Sequence, residues 1–437
     1  MKPERIELSP SVYFSRMAND TFKTSLLSVY FTVPLTDEST ASKLALLQYV
    51  LRRGTRSYPT ATELSRRLET LYSADLGSGV FKCGENQVLI FSVGVLRREF
   101  IPDGGDVLFP AIDLLSELLF DPLIDQTTGV FLDEYVEREK KSAADRVRAI
   151  QNNKASLAKE RCLSLMCAGE PYGISELGTV EEIEKITPAA LFAAYRALLS
   201  EARIDIYYTG KEERDGIVSA LLARFYKIKR HPIPLPPPII RRKAERRLKV
   251  TERASAAQGR LCIGFRTGVA LSDEDAVAFT LFHCIFGGSP TSKLFVNVRE
   301  RLSLCYSCAS RLQLTKGIFM VSAGIENKNR RRAVREIMHQ LSKMRAGKIT
   351  EDELRMAVKT LSHQSRTLSD EPTSLERWYF TRSLFGVEET PEAFLASLST
   401  LTVRDVVRVA KKVTLDTVYF LRGVPSGDFL EGEEDDD

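Results

Sequence analysis

Few side chains in this sequence could do chemistry, and the scarcity is itself informative. The four histidines are His231, His283, His339 and His363, scattered so that no two offer the paired imidazoles a catalytic metal needs. No serine or cysteine stands out as a nucleophile served by a histidine base. Cys305 and Cys308 form a C-x-x-C. That spacing carries thiol–disulfide chemistry where it opens a helix. Here it begins a predicted strand, where positions three apart face opposite sides, so a redox site is not expected. His283 and Cys284 fall in an apolar helical run and read as core. Asp273, Glu274 and Asp275 read as an N-terminal helix cap, not a metal cluster. Neither G-x-x-x-x-G-K nor G-x-G-x-x-G occurs, so no nucleotide-binding loop is signalled.

The elements that must carry these residues belong to an ordinary globular chain. Its 437 residues are 43% hydrophobic and 27% charged, which excludes a mainly disordered or fibrous chain. The 62 Lys+Arg against 58 Asp+Glu leave a net charge of +4, too little to argue for a nucleic-acid partner. No run reaches the roughly 18 apolar residues of a membrane span. The start, MKPERIELSP, lacks the apolar stretch of a secretory signal. Seven cysteines, an odd number in a large chain, are no disulfide framework. A cytoplasmic location is expected.

Residues 231–238 read HPIPLPPP, a stretch that resists helix and central strand and suits an extended linker. The basic residues Arg241, Arg242, Lys243, Arg246 and Arg247 follow, as a solvated flank or a docking patch. The linker separates halves of similar size, and the halves repeat one another. LALLQYVLRRGT, TATELSRRLETLYSA and NQVLIFSVGV in the first have counterparts in AFTLFHCIFGG, TSKLFVNVRERLSLCYS and GIFMVSAGI in the second. Gly94 and Gly324 close the two strands, and helical patterns follow in pairs: Phe109–Leu119 then Val130–Ile150, and Arg332–Met344 then Glu351–Leu368. Matching order implies one α+β unit used twice, each a sheet with helices on one face. The tail from Glu431, EGEEDDD, is expected to be disordered.

The run KLALLQYVLRRGT from Lys43, with Tyr58-Pro59-Thr60 after it, resembles the active-site helix of the pitrilysin/insulinase metallopeptidases. That family carries His-x-x-Glu-His there: two imidazoles one turn apart for zinc, and a glutamate to deprotonate the attacking water. Aligning on Gly54-Thr55 puts Ala45 at the first His, Gln48 at the Glu and Tyr49 at the second His. Alanine offers no lone pair, glutamine no useful basicity, and a phenol with a pKa near about 10 is a poor zinc ligand. The family's third ligand, a downstream glutamate, falls at about Arg146 if Glu139 is the preceding acid. The resemblance therefore implies that this chain binds no zinc of its own.

The resemblance spans nearly the whole chain. PYGISELGTVEEIEKITP, residues 171–188, matches the family's Pro-Tyr-Gly segment. GGSPTSKLFVNVRERLSLCYS, residues 287–307, matches its Gly-Gly, Leu-Phe, Arg-Glu-Arg and Leu-x-Tyr pattern. In active members an Arg and a Tyr seven residues apart in that motif serve the zinc cleft, and Arg299 and Tyr306 keep that spacing. Both are donors able to hold a scissile carbonyl and the oxyanion that forms on it. Outside the motif, Arg299 would simply pair with Glu300 on a solvated helix face and Tyr306 would be a packed strand residue.

The resemblance is greatest to the bacterial YmfF-type branch, whose members are paired with a sister protein. It implies two homologous α+β domains, each a mixed, mostly antiparallel sheet with helices on one face. They would span residues 1–230 and 249–428, about a linker at 231–248, with an acidic tail at 429–437. It further implies a catalytically incomplete subunit. This chain would supply peptide-binding surface, Arg299 and Tyr306 to a zinc site held by a sister subunit with an intact motif. A purely structural or peptide-binding scaffold is the alternative.

Overall fold

The computed structural model describes residues 2–225 and 228–424; the acidic tail at 429–437 lies outside them. Eleven strands are described: β1 (Glu4–Ser9), β2 (Val12–Ala18), β3 (Thr24–Pro34), β4 (Asp75–Cys83), β5 (Asn86–Leu96), β6 (Arg203–Gly210), β7 (Leu248–Ser255), β8 (Gly259–Arg266), β9 (Cys305–Gln313), β10 (Ile318–Ile325) and β11 (Thr414–Val424). They form two sheets, ordered β1-β2-β6-β3-β5-β4 and β7-β11-β8-β10-β9. Only β2·β6 and β7·β11 run parallel. Every other pairing is antiparallel. Without β1, the first order maps onto the second strand for strand, so the repeat expected from the sequence is a repeat of topology. Both sheets are mixed and mostly antiparallel.

The chain forms two compact units, and neither is one continuous stretch. The first holds Met1–Arg148, Ile174–Pro237 and Leu368–Thr381; the second holds Ala149–Gly173, Pro238–Thr367 and the chain from Arg382.

In the first unit, the alternation along SLLSVYFTV decides which way each residue points. Leu27, Val29 and Phe31 enter a large apolar core with Leu44, Leu47 and Val50 of the helix Glu38–Leu51, and with Ile112, Leu115 and Leu119 of the helix Leu108–Phe120. Removing side chains of this size from water contributes roughly 1.5–3 kcal/mol each. The intervening Ser28, Tyr30 and Thr32 are buried too, but polar. Their face is covered by the helix Pro372–Leu384, whose Phe380 stacks on Tyr30 at 4.2 Å.

The second unit repeats the device. Leu261, Ile263 and Phe265 of β8 are fully buried, and Phe319 of β10 stacks on Phe265 at 5.0 Å. On the opposite face Cys262, Tyr419 and Leu421 pack with Ala158 and Cys162 of the helix Lys154–Met166. A Cβ at Gly264 would come within 2.6 Å of the Met166 sulfur, so this strand needs glycine to seat the helix. Each sheet thus receives a second-face helix from the other half of the sequence. Among the described residues no helix is long and apolar enough to cross a membrane.

Candidate functional site

The helix Glu38–Leu51 is started by Asp37, whose carboxylate accepts from the Thr40 amide at 2.8 Å. Its far end is held by the Arg-Gly-Thr that follows. The Arg53 Nε lies 2.7 Å from a Glu139 carboxylate oxygen. A Cβ on Gly54 would meet the Pro59 carbonyl oxygen at 2.4 Å, so only glycine permits the turn. The Thr55 amide donates to the Tyr58 carbonyl at 2.9 Å. Thr60 and Glu63 form a capping box that opens the next helix. The loop is built to fix the orientation of the preceding helix.

What that helix presents cannot hold a metal. Ala45 and Gln48 are both buried, and the Gln48 amide Nε2 donates to the Ala45 carbonyl at 3.1 Å, turned back on its own helix. The Tyr49 hydroxyl accepts from a guanidinium nitrogen of Arg146, and the guanidinium carbon stands 5.4 Å from the ring centroid. The structure therefore brings Tyr49 and Arg146 together: a phenol capped by a cation at the two positions that the resemblance was expected to give to ligands. Glu139, the remaining acid of this region, is engaged by Arg53. A dication beside Arg146 would be repelled. Among the described residues no group of three or more His, Cys, Asp or Glu side chains could hold a metal ion.

The second candidate, Arg299 and Tyr306, belongs to the second unit. Gly287 and Gly288 are required by close approach, since added Cβ atoms would come within 2.6 Å of the Ser310 hydroxyl and of the His283 ring. Lys293, buried, is anchored by both carboxylate oxygens of Glu353 at 2.7 and 2.8 Å. A helical segment Phe295–Arg301 follows. Ser303 then takes a φ of 48°, the left-handed conformation that turns the chain from helix into β9.

Arg299 is 42% exposed; its guanidinium lies 4.5 Å over the Phe295 ring and 3.4 Å from Glu300. The pairing with Glu300 expected of a solvated helix is present, though a pair this exposed contributes little. Tyr306 is 73% exposed, so the alternative of a packed strand residue does not hold. The cause is a β-bulge. Cys305 pairs with Ile325 and Ser307 with Gly324, leaving Tyr306 as the extra residue, re-aimed outward. β9 is also the outer strand of its sheet. An exposed guanidinium and an exposed phenol at the outer strand of a sheet can donate hydrogen bonds to an extended peptide.

The bulge corrects a second expectation. Cys305 and Cys308 were expected on opposite faces, as in a regular strand. They stand opposite Ile325 and Ala323, two apart on β10, and so share a face. No sequence signal announced this, because counting positions assumes an unbroken ladder. Cys284 is a core residue as expected, whereas His283 is half-buried, with its Nε2 3.0 Å from the Ser310 carbonyl and burial lowering its pKa. Asp275 precedes the helix Ala276–His283 but makes no cap hydrogen bond. Its carboxylate pairs with Arg408 and with Lys412, the latter at 2.5 Å.

Comparison with known proteins gives a consistent picture. Residues 185–361 match the family described as Peptidase M16 inactive domain. The probable inactive metalloprotease YmfF of Bacillus subtilis is 31% identical over 92% of this chain and 93% of its own. Among solved structures, a conserved protein from Enterococcus faecalis superposes with a TM-score of 0.89 at 28% identity, covering 98% of this chain and 100% of that one. A chain of complex III2 from Candida albicans has the same fold, with a TM-score of 0.71 at 14% identity over 96% of this chain and 95% of that one.

Proposed function

Since the chain belongs to the M16 (insulinase) peptidase family as an inactive metalloprotease homologue, we propose that it works as half of a shared active site. A sister subunit with an intact His-x-x-Glu-His motif would hold the zinc. This chain would add peptide-binding surface and the donors Arg299 and Tyr306. The observation that carries the reading is an asymmetry. At the zinc positions Ala45 and Gln48 are buried and Tyr49 is capped by Arg146, whereas Arg299 stands exposed on the helical segment Phe295–Arg301 and Tyr306 on the bulged outer strand that follows it.

An extended substrate would pair with the backbone of a sheet edge, so affinity would depend little on side chains. Arg299 and Tyr306 would donate to the scissile carbonyl and stabilise the charge that develops on its oxygen. The test is peptide cleavage by the chain together with its co-purified sister. Arg299→Ala should leave assembly intact and lower turnover by about 10²–10³, the usual effect of losing one oxyanion donor. Wild-type turnover in that variant would refute the role.

One observation favours a second reading. The same fold occurs in a chain of complex III2, which supports a scaffold or peptide-binding subunit without a catalytic part. A sister with its own intact Arg/Tyr motif, active without this chain, would establish that reading instead.

A further inference from the structure

The second unit holds a pair of thiols that the shared-site reading leaves unused. Cys305 and Cys308 are only 8% and 4% exposed and share a face of β9, because Tyr306 is bulged out between them. The two side chains interact with one another. That interaction, with the nearby charge of Arg299, holds the Cys305 thiol below its ordinary value although burial works to raise it. The same interaction, together with burial, pushes Cys308 well up. The two thiols are thereby differentiated into an attacking sulfur and one that keeps its proton.

Four of the other five cysteines are set apart. Burial pushes Cys83 and Cys262 up to about 12 and Cys284 up to about 11. It also carries Cys162 well above its ordinary value. They are inert by environment. Cys305 differs in position too: it begins an outer strand and is followed by exposed Tyr306 and Ser307.

We propose that Cys305 and Cys308 are a peroxide-sensitive dithiol, an oxidation site that closes reversibly to a disulfide. The Cys305 thiolate attacks one oxygen of a hydroperoxide. An S–O bond forms, the O–O bond breaks, and the other oxygen leaves as alcohol or water after taking up a proton. Cys305 is then a sulfenic acid. The Cys308 sulfur, giving up its proton, attacks the Cys305 sulfur; the S–O bond breaks, water leaves and the S–S bond forms. Two thiols have lost two electrons and two protons, and one hydroperoxide has been reduced to one alcohol and one water. The sulfurs have to close to about 2.05 Å, a movement taken up within the bulge that already interrupts the ladder. The proposal does not depend on the role given to Tyr306 or Arg299 in peptide cleavage.

The experiment uses the full chain alone. It is treated with hydrogen peroxide in small excess, then denatured in an alkylating reagent and digested with trypsin. Cleavage after Arg301 and Arg311 places both cysteines in one peptide, residues 302–311. That peptide should be unalkylated and lighter by two hydrogens, while Cys83, Cys162, Cys262 and Cys284 remain alkylated. Dithiothreitol given before alkylation should restore two alkyl groups. In Cys308→Ser, Cys305 should persist as a sulfenic acid captured by dimedone. In Cys305→Ser, Cys308 should remain a thiol. Oxidation of all seven cysteines at one rate would overturn the proposal. So would a 302–311 peptide that stays doubly alkylated, or equal dimedone labelling in the two variants.

Discussion

Thr209 and Glu376 stand 167 positions apart in the chain, yet the threonine hydroxyl donates to the Glu376 carboxyl at 2.9 Å. The helix Pro372–Leu384 is thereby fastened to β6 of the first unit through a buried acid. Burial pushes that carboxyl up to about 8, outweighing the polar neighbours Ser28 and Thr209, of which Thr209 donates the hydrogen bond. Its raised value in the folded chain means that the native state holds a proton the unfolded state has released. Stability from this group is fully present below the ordinary glutamate range. It declines with rising pH and is lost on passing through about 8. Glu376→Gln, a permanently neutral substitute, should flatten the fall in urea midpoint between about pH 5 and pH 9. An unaltered slope in the variant would assign the dependence to another group.

A buried ion cluster in the second unit should behave in the opposite sense. Glu170 accepts from Lys316 at 2.6 Å and from Arg266 at 2.8 Å, and Arg266 also pairs with Asp416 at 2.8 Å. Burial works to raise the Glu170 carboxyl, but the hydrogen bonds and charges of Lys316 and Arg266 hold it below its ordinary value. Its contribution is present above the ordinary glutamate range and is lost as pH falls. Glu170→Gln leaves three cations, Lys316, Arg266 and Arg241, with one fewer counter-charge, and about 3–5 kcal/mol should be lost at neutral pH, as for other broken buried pairs. Chemical denaturation measures it; a loss under about 1 kcal/mol would mean that the cluster relaxes or hydrates.

The zinc positions make a constructive prediction. Arg146 caps Tyr49, so restoring ligands on one helix alone should fail. The triple change Ala45→His, Gln48→Glu and Tyr49→His should bind zinc weakly. Adding Arg146→Glu should tighten binding by about tenfold or more, because it exchanges a repelling cation for a ligand. Zinc titration with a competing chelator reads both. Equal affinity with and without the fourth change would show that residue 146 is not the third-ligand position.

Tyr306 separates catalysis from stability. At 73% exposure its hydroxyl can be removed without disturbing a core, so Tyr306→Phe should shift stability by less than about 0.5 kcal/mol. Under the shared-site reading, turnover with the sister subunit should nevertheless drop. Equal turnover, with unchanged melting, would confine Tyr306 to binding or to no role.

How far the fold could be read ahead of the structure depended on whether the information was local. SLLSVYFTV alternates apolar and polar residues and is a strand facing two environments. The tight passages at Gly54 and at Gly287-Gly288 announce themselves as glycines. The expectation that Ala45, Gln48 and Tyr49 stand at ligand positions drew on Gly54-Thr55 to fix the alignment. The destination of a helix is not local. The residues of Lys154–Met166 state that it has an apolar side, not which sheet that side covers. The bulge at Tyr306 was equally hidden, since it is a property of the pairing between β9 and β10 and not of either strand alone. Counting by twos along Cys305–Cys308 consequently put one thiol on the wrong face.

The helix drawn from the far half of the chain also imposes a timetable. Synthesis completes the six strands of the first sheet at Gly210, but the segment that shields Ser28, Tyr30 and Thr209 is not finished until Thr381. Throughout translation of the intervening stretch, one flank of a nearly complete sheet stands wet on the ribosome. A message severed at the proline-rich stretch would yield two polypeptides, each lacking a clasp that only the other encodes.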